Sequence, residues 1–118
     1  MTENASAVQM TAPRDIVITN RSLEYGNIEA WINIIDSYSR SHPEHEVVIF
    51  YEGEEVSNMI SLFKMNDQPN LNGFQMVVRA PDGNWKDVAK LYRFMVEGAS
   101  ARFQQFIGKE IYQVLNLF

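Results

Sequence analysis

Apolar residues recur at intervals of three and four positions through the first third of the chain. This spacing places them on one face of a helix, with polar residues such as Asn33 and Asp36 between them. Proline disfavours helical backbone in the residue before it, so we predict an amphipathic helix that ends before Pro43. Its apolar face comprises Ile28, Trp31, Ile32, Ile35 and Tyr38.

Shorter segments have the composition of β-strands. Residues 46–51 are β-branched and aromatic and predict a strand, as do residues 16–19 and 74–79. Residues 54–57 predict a weaker strand that returns after the turn at Glu52 and Gly53.

Two further helices are predicted between and after these strands. Ser61 can cap a short helix that runs through Met65, because its hydroxyl can accept a hydrogen bond from a free amide of the first turn. Asn84 and Asp87 resemble a capping arrangement for a helix with Trp85, Val88, Tyr92 and Met95 on one face. The order βαββαβα indicates an α+β fold, an open-faced β-sandwich with helices on one face of an antiparallel sheet.

The two ends of the chain differ from this middle part, which covers residues 15–97. Residues 1–14 are small and polar without a period, and we predict a disordered leader. Residues 98–118 predict an added helix, and the strand at 46–51 is apolar on both faces, so this helix is expected to cover the second face of the sheet. It comes from the same chain or, in a homodimer, from a neighbour. The covering side chains are Phe103, Phe106, Ile107, Ile111 and Val114.

Composition and charge argue against several classes of partner. The 118 residues make one domain, and the net charge of −5 without a basic stripe argues against nucleic acid as a partner. No apolar run reaches the roughly 18–20 residues that span a bilayer, so we expect no membrane partner. The absence of cysteine excludes disulfides and fits a cytoplasmic location.

The sequence contains no pattern typical of a catalytic or metal site. His42 and His45 share a loop with two glutamates, but this spacing without a third histidine favours a solvated loop over a metal site. No nucleophile–base pair or glycine-rich phosphate loop is present. We therefore expect no cofactor, no metal and no enzymatic activity.

Several of these segments together resemble the histidine-containing phosphocarrier protein (HPr) family of the sugar phosphotransferase system. Residues 61–64 (Ser-Leu-Phe-Lys) are similar to the regulatory-serine helix of that family, and residues 73–77 to the turn and strand after it. Residues 87–95 resemble its last helix. The resemblance covers about residues 15 to 96 and implies an HPr-like fold.

The chain departs from this family at the positions that carry its chemistry. Glu24 stands where the family has its phosphorylated histidine, Gly26 where it has an arginine, and Asn27 where it has a proline. Ser61 corresponds to the serine that a dedicated kinase phosphorylates in some relatives. The resemblance therefore implies a divergent member that lacks the active histidine.

The resemblance also implies a partner-binding face on the first helix and the short helix. Positions expected to be basic on the first helix are Asn33 and Asp36, and Glu29 adds negative charge, so the usual acidic partners should bind poorly. We predict a non-catalytic regulatory or scaffolding domain with an unidentified protein partner. The alternatives are a phosphocarrier modified at Glu24 or Ser61, and an ACT-like sensor of small molecules. The expected contact residues are Tyr25, Ile32, Leu62, Phe63 and Lys64.

Overall fold

The structure, a computed structural model, describes residues 8–64, 69–108 and 115–118. In these ranges the chain forms an antiparallel sheet and helices that pack against it, which is a mixed α+β architecture. The strands are β1 (Gln9–Met10), β2 (Arg14–Ile16), β3 (Glu46–Tyr51), β4 (Glu54–Glu55) and β5 (Phe74–Ala80). The α-helices are α1 (Tyr25–Ser41) and α2 (Val88–Gly98), and two 3₁₀ helices span Met59–Lys64 and Phe103–Phe106.

Strand β5 lies at the centre of the sheet. It pairs with β3 on one side and with both β1 and β2 on the other, and β3 pairs in turn with β4. Every pairing is antiparallel, and Val48 of β3 lies opposite Val77 of β5. Alternate residues of a strand point to opposite faces, so this register decides which side chains meet the helices.

The core lies between one face of the sheet and the pair α1 and α2. Trp31 of α1 meets Phe74 of β5 edge to face at 5.2 Å, and its indole nitrogen donates a hydrogen bond to the Met95 carbonyl at 2.9 Å. Both side chains are fully buried, and the indole N–H has a partner. One tryptophan thus joins the sheet, α1 and α2.

The helix and the two long strands predicted from apolar spacing are confirmed. Helix α1 begins one turn before its first predicted apolar residue and ends just before His42 and Pro43. Its buried stripe is rotated slightly from the expected one, because Ile34 is fully buried whereas Ile32 and Ile35 are half-buried at its edge. Those two isoleucines lie beside Met59 and Ile60 of the first 3₁₀ helix.

The predicted leader is corrected for residues 9–14. Gln9 and Met10 pair with Ala80 and Arg79, and β2 covers 14–16 where a strand over 16–19 was expected. These two strands were not predicted, because both are short edge strands whose side chains are mostly exposed and therefore show no apolar pattern. The prediction for residues 1–7 lies outside the described residues.

The helix predicted in residues 98–118 is wrong for the described part of the tail beyond the end of α2. Only Phe103–Phe106 form a short 3₁₀ helix, and residues 115–118 have no regular structure. The described part of the tail packs on the helices: the ring centroids of Phe106 and Phe94 of α2 are 5.4 Å apart, and those of Phe118 and Tyr38 of α1 are 5.3 Å apart. Ile111 and Val114 lie outside the described residues.

The second face of the sheet is nevertheless not bare. Val48 and Val77 are only 3% and 5% exposed at its centre. On the same face Arg79 pairs with Glu46 and Glu55, each at 3.3 Å.

Among the described residues, no helix combines the length and the apolar character needed to cross a lipid bilayer.

Candidate functional site

Glu24 caps the beginning of α1. Its backbone is extended, and its amide donates a hydrogen bond to Oδ1 of Asn27 at 3.0 Å. Its carboxylate accepts a hydrogen bond from Nδ2 of Asn20 at 2.6 Å. The negative charge thus lies at the positive end of the helix dipole and is held by a local partner.

Asn27 is a buried hub that sequence reasoning missed. It is 0% exposed, and its amide nitrogen donates to the carbonyl oxygens of Gly98 at 2.8 Å and Ser100 at 3.0 Å. Its side-chain oxygen accepts from Asn20 at 2.9 Å and from the Glu24 amide. One side chain therefore joins the beginning of α1 to the end of α2.

Gly26 is covered by the tail. A Cβ built at this position would overlap the ring of Phe103, which lies across the first turn of α1. A longer side chain at residue 26 would have to displace that ring. The position that resembles the active-site arginine of the HPr family is therefore closed by a residue far away in sequence.

Ser61 does not cap the short helix, which corrects the prediction. The helix begins two residues earlier at Met59, and Asn58 takes the capping role by accepting a hydrogen bond from the Ile60 amide at 3.0 Å. The Ser61 hydroxyl donates to the Asn58 carbonyl and its side chain is exposed. The hydroxyl is therefore within the helix and accessible to solvent.

The expected contact residues do not all lie on one surface. Leu62 is only 4% exposed and belongs to the core, so its assignment to a partner surface is wrong. Lys64 lines a separate acidic concavity with Glu52, Glu54 and Glu55. Tyr25 and Phe63, in contrast, meet edge to face at 5.3 Å between the two helices.

An apolar surface lies along the edge between α1 and the 3₁₀ helix at Met59–Lys64. Tyr25 is 71% exposed and Ile60 is 58% exposed, and the other members are half-buried. We call it the helix-edge surface, and it comprises Tyr25, Ile32, Ile35, Met59, Ile60 and Phe63. It contains two shallow concavities of about 310 and 370 Å³. Ile60 was missed because a single apolar residue carries no period that shows which way it points.

The charged residues that line these concavities are acidic in the part of the chain that the structure describes. Glu29 lines the one beside Tyr25, and Asp36 lines the one beside Ile32. Asp36 also pairs with Arg40 at 2.8 Å. Asn33 points elsewhere and donates to the Phe106 carbonyl at 2.9 Å. The helix-edge surface is therefore apolar with an acidic rim.

His42 and His45 form structural contacts and not the solvated loop that was predicted. Nε2 of His42 lies 2.9 Å from the Asp87 carboxylate, and Nδ1 of His45 lies 2.8 Å from the Tyr38 hydroxyl. Burial, together with the nearby charges of Asp87 and Asp82, raises the pKa of Tyr38 to about 12. These contacts join the end of α1 to the turn before α2.

The last helix begins later than predicted, at Val88, so Trp85 lies in the turn before it. Asp87 directly precedes α2, but its side chain does not cap that helix. Its backbone is left-handed, with φ of 68°, and its carboxylate turns to His42 instead. Asn84 accepts a hydrogen bond from the Lys86 amide in the turn. In the described ranges no three His, Cys, Asp or Glu side chains are grouped so that they could hold a metal ion.

Comparison with known proteins places the chain in a family. Residues 8–105 match the family described as the uncharacterised Treponema protein C-terminal domain. An uncharacterised protein of Treponema pallidum (strain Nichols) is 35% identical over 115 residues, which are 98% of this chain but only 33% of that relative. The chain thus spans about a third of the relative's length. No solved structure matches it. This chain therefore belongs to the family of the uncharacterised Treponema protein C-terminal domain.

Proposed function

We propose that this chain is a non-catalytic, HPr-like regulatory or scaffolding domain that acts through protein–protein contacts. The observation that carries the proposal is the helix-edge surface, where Tyr25 and Ile60 expose 71% and 58% of their area beside four half-buried apolar residues. Single exposed apolar side chains are ordinary, but a contiguous patch along two helices is typical of an interaction site.

The order of elements supports the HPr-like part of the proposal. A strand, α1, β3 and β4, a short helix, β5 and α2 follow one another in the order expected from the resemblance. The short helix is a 3₁₀ helix that begins at Met59.

The surroundings of Glu24 support a role other than phosphate transfer. Its carboxylate is bonded to Asn20, and the neighbouring Gly26 lies beneath Phe103. A carboxylate at this helix end opposes the approach of a phosphate group, because both carry negative charge. The exposed hydroxyl of Ser61 keeps one alternative open, which is modification of that serine by a kinase.

Intact mass and melting temperature distinguish this function from its alternatives. The intact mass is determined after incubation with phosphoenolpyruvate and the general phosphotransferase enzyme, and separately with an ATP-dependent HPr kinase. We expect no stoichiometric phosphoryl adduct. An adduct at Glu24 or Ser61 would favour the phosphocarrier alternative, and a rise in melting temperature with an amino acid or a nucleotide would favour the ACT-like sensor.

The interaction itself is tested by affinity capture with matched surface variants. The double variant Tyr25→Ser and Ile60→Ser removes the two most exposed apolar groups of the helix-edge surface. Val17→Ser serves as a control, because Val17 is also an exposed apolar residue but lies outside that surface. We expect captured proteins to be retained by the control and lost by the double variant. Equal capture by both would contradict the assignment of this surface.

A further inference from the structure

From the charge and shape of the helix-edge surface, we infer that its partner is a basic amphipathic helix. This inference rests on the proposed function and adds the chemistry of the partner. The apolar and acidic positions of the surface follow one stripe along α1: Tyr25, Glu29, Ile32 and Asp36 are separated by four, three and four residues. Residues at these intervals lie on one face of a helix.

The surface is long enough for several helical turns. From Tyr25 to Ser39, which lines the far concavity, the stripe covers fourteen residue steps, or about 21 Å at 1.5 Å per residue. The 3₁₀ helix lies beside it and contributes Met59, Ile60 and Phe63. An elongated apolar surface with two shallow concavities suits a partner helix that places apolar residues into them at three- and four-residue spacing.

The backbone argues for a helix over an added strand. The helix-edge surface is built from α1 and a 3₁₀ helix, whose peptide groups form hydrogen bonds within their own elements. Such elements offer no row of free amides and carbonyls to pair with an extended peptide. Recognition must therefore come from side chains on both partners.

The negative charge of the rim favours a cationic partner. Glu29 and Asp36 are seven residues apart, which is two turns or about 10 Å along α1. A partner with lysine or arginine at matching positions would meet both carboxylates at the edge of the apolar contact. Asp36 already has Arg40 as a partner, so Glu29 offers the stronger attraction. An acidic partner would meet like charge and dock more slowly.

The test uses a phage-displayed library of random 16-residue peptides, selected on the intact chain. We expect the enriched peptides to be net positive, to carry apolar residues at three- and four-residue spacing, and to gain helical circular dichroism on binding. Fluorescein-labelled synthetic copies of these peptides are then titrated with variants. Glu29→Lys should weaken binding by about three- to tenfold, and salt should weaken binding to the unmodified chain.

Glu44→Lys is the matched control. It changes the net charge equally but lies in the exposed turn beyond the far end of α1, so it should leave the affinity unchanged. The double variant Tyr25→Ser and Ile60→Ser should abolish binding.

The other outcomes separate this inference from the proposed function. Neutral or acidic peptides that still require Tyr25 and Ile60 would overturn the cationic partner and leave the surface as an interaction site. Peptides whose binding ignores both Tyr25 and Ile60 would contradict both. A library that yields no binder would overturn the helical partner, while the capture experiment decides the function on its own.

Discussion

Replacement of Asn27 by alanine tests the most connected polar side chain of the structure. The change removes four hydrogen bonds, two to the carbonyl oxygens of Gly98 and Ser100 and two from Asn20 and the Glu24 amide. At a net value of about 0.5–1.5 kcal/mol each, the four contribute about 2–6 kcal/mol. Alanine recovers less than about 1 kcal/mol through its higher helix propensity. We expect the free energy of unfolding to fall by about 3 kcal/mol.

Urea unfolding, followed by the fluorescence of the buried Trp31 and the half-buried Trp85, measures this loss. With a slope of about 2 kcal/mol per molar, the midpoint should shift by about 1.5 M at unchanged slope. Asn33→Ala is the matched control, because it removes a single, partly buried hydrogen bond to the Phe106 carbonyl and should cost about 1 kcal/mol.

A second variant separates hydrogen bonding from packing volume. Asn27→Asp keeps the size of the side chain but places an oxygen where the amide nitrogen faces the Gly98 and Ser100 carbonyls. The new oxygen would face these two carbonyl oxygens with no donor between them, and burial of the charge is costly, so this variant should be less stable than Asn27→Ala at neutral pH. If Asn27→Ala lost no more stability than Asn33→Ala, or if Asn27→Asp were as stable as the unmodified chain, the hub would not hold the two helices together.

Three further predictions concern the tail, Tyr38 and the short helix. Gly26→Ala should cost about 1–3 kcal/mol of unfolding free energy through overlap with Phe103, and it should be neutral or stabilising in a Phe103→Ala background. Additive effects in this double-mutant cycle would show that the ring does not cover Gly26. Burial raises the pKa of Tyr38 to about 12, whereas a tyrosine in the unfolded chain ionises near pH 10. The stability that the neutral Tyr38 contributes is therefore complete below pH 10 and is lost between pH 10 and 12, at about 1.4 kcal/mol per pH unit. Tyr38→Phe should lack this part of the alkaline fall, and an identical fall in both proteins would contradict the assignment. Leu62→Ala should cost about 2–5 kcal/mol because Leu62 is buried, whereas Ile60→Ala should cost less than 1 kcal/mol; similar melting temperatures for the two would refute the assigned burial.

The regular elements with the strongest patterns were predictable because their signals are local. The period of apolar residues indicated α1, and β-branched and aromatic composition indicated β3 and β5. The end of α1 before Pro43 was predictable for the same reason, since the end of a helix depends on a few neighbouring residues.

The candidate site was predicted only in part. Tyr25 and Phe63 do lie together at the surface, but Leu62 belongs to the core and the exposed Ile60 takes a place on the helix-edge surface instead. Within a short 3₁₀ helix there are too few turns for a period to show which residues face inward. The direction in which each side chain points is decided by how the element docks on α1.

The sequence by itself determined the α+β class, the end of α1, and the two long central strands. Tertiary structure decided everything that depends on residues far apart in the chain. Asn27 meets Gly98 and Ser100 across more than seventy residues, and Phe103 reaches Gly26 across a similar separation. The tail has an apolar pattern suited to any apolar surface, so its spacing could not tell the helices from the open face of the sheet. Hydrophobic burial is non-directional, and the described part of the tail is oriented by polar partners on α1, where Asn33 donates to the Phe106 carbonyl and Ser37 accepts from the Leu117 amide.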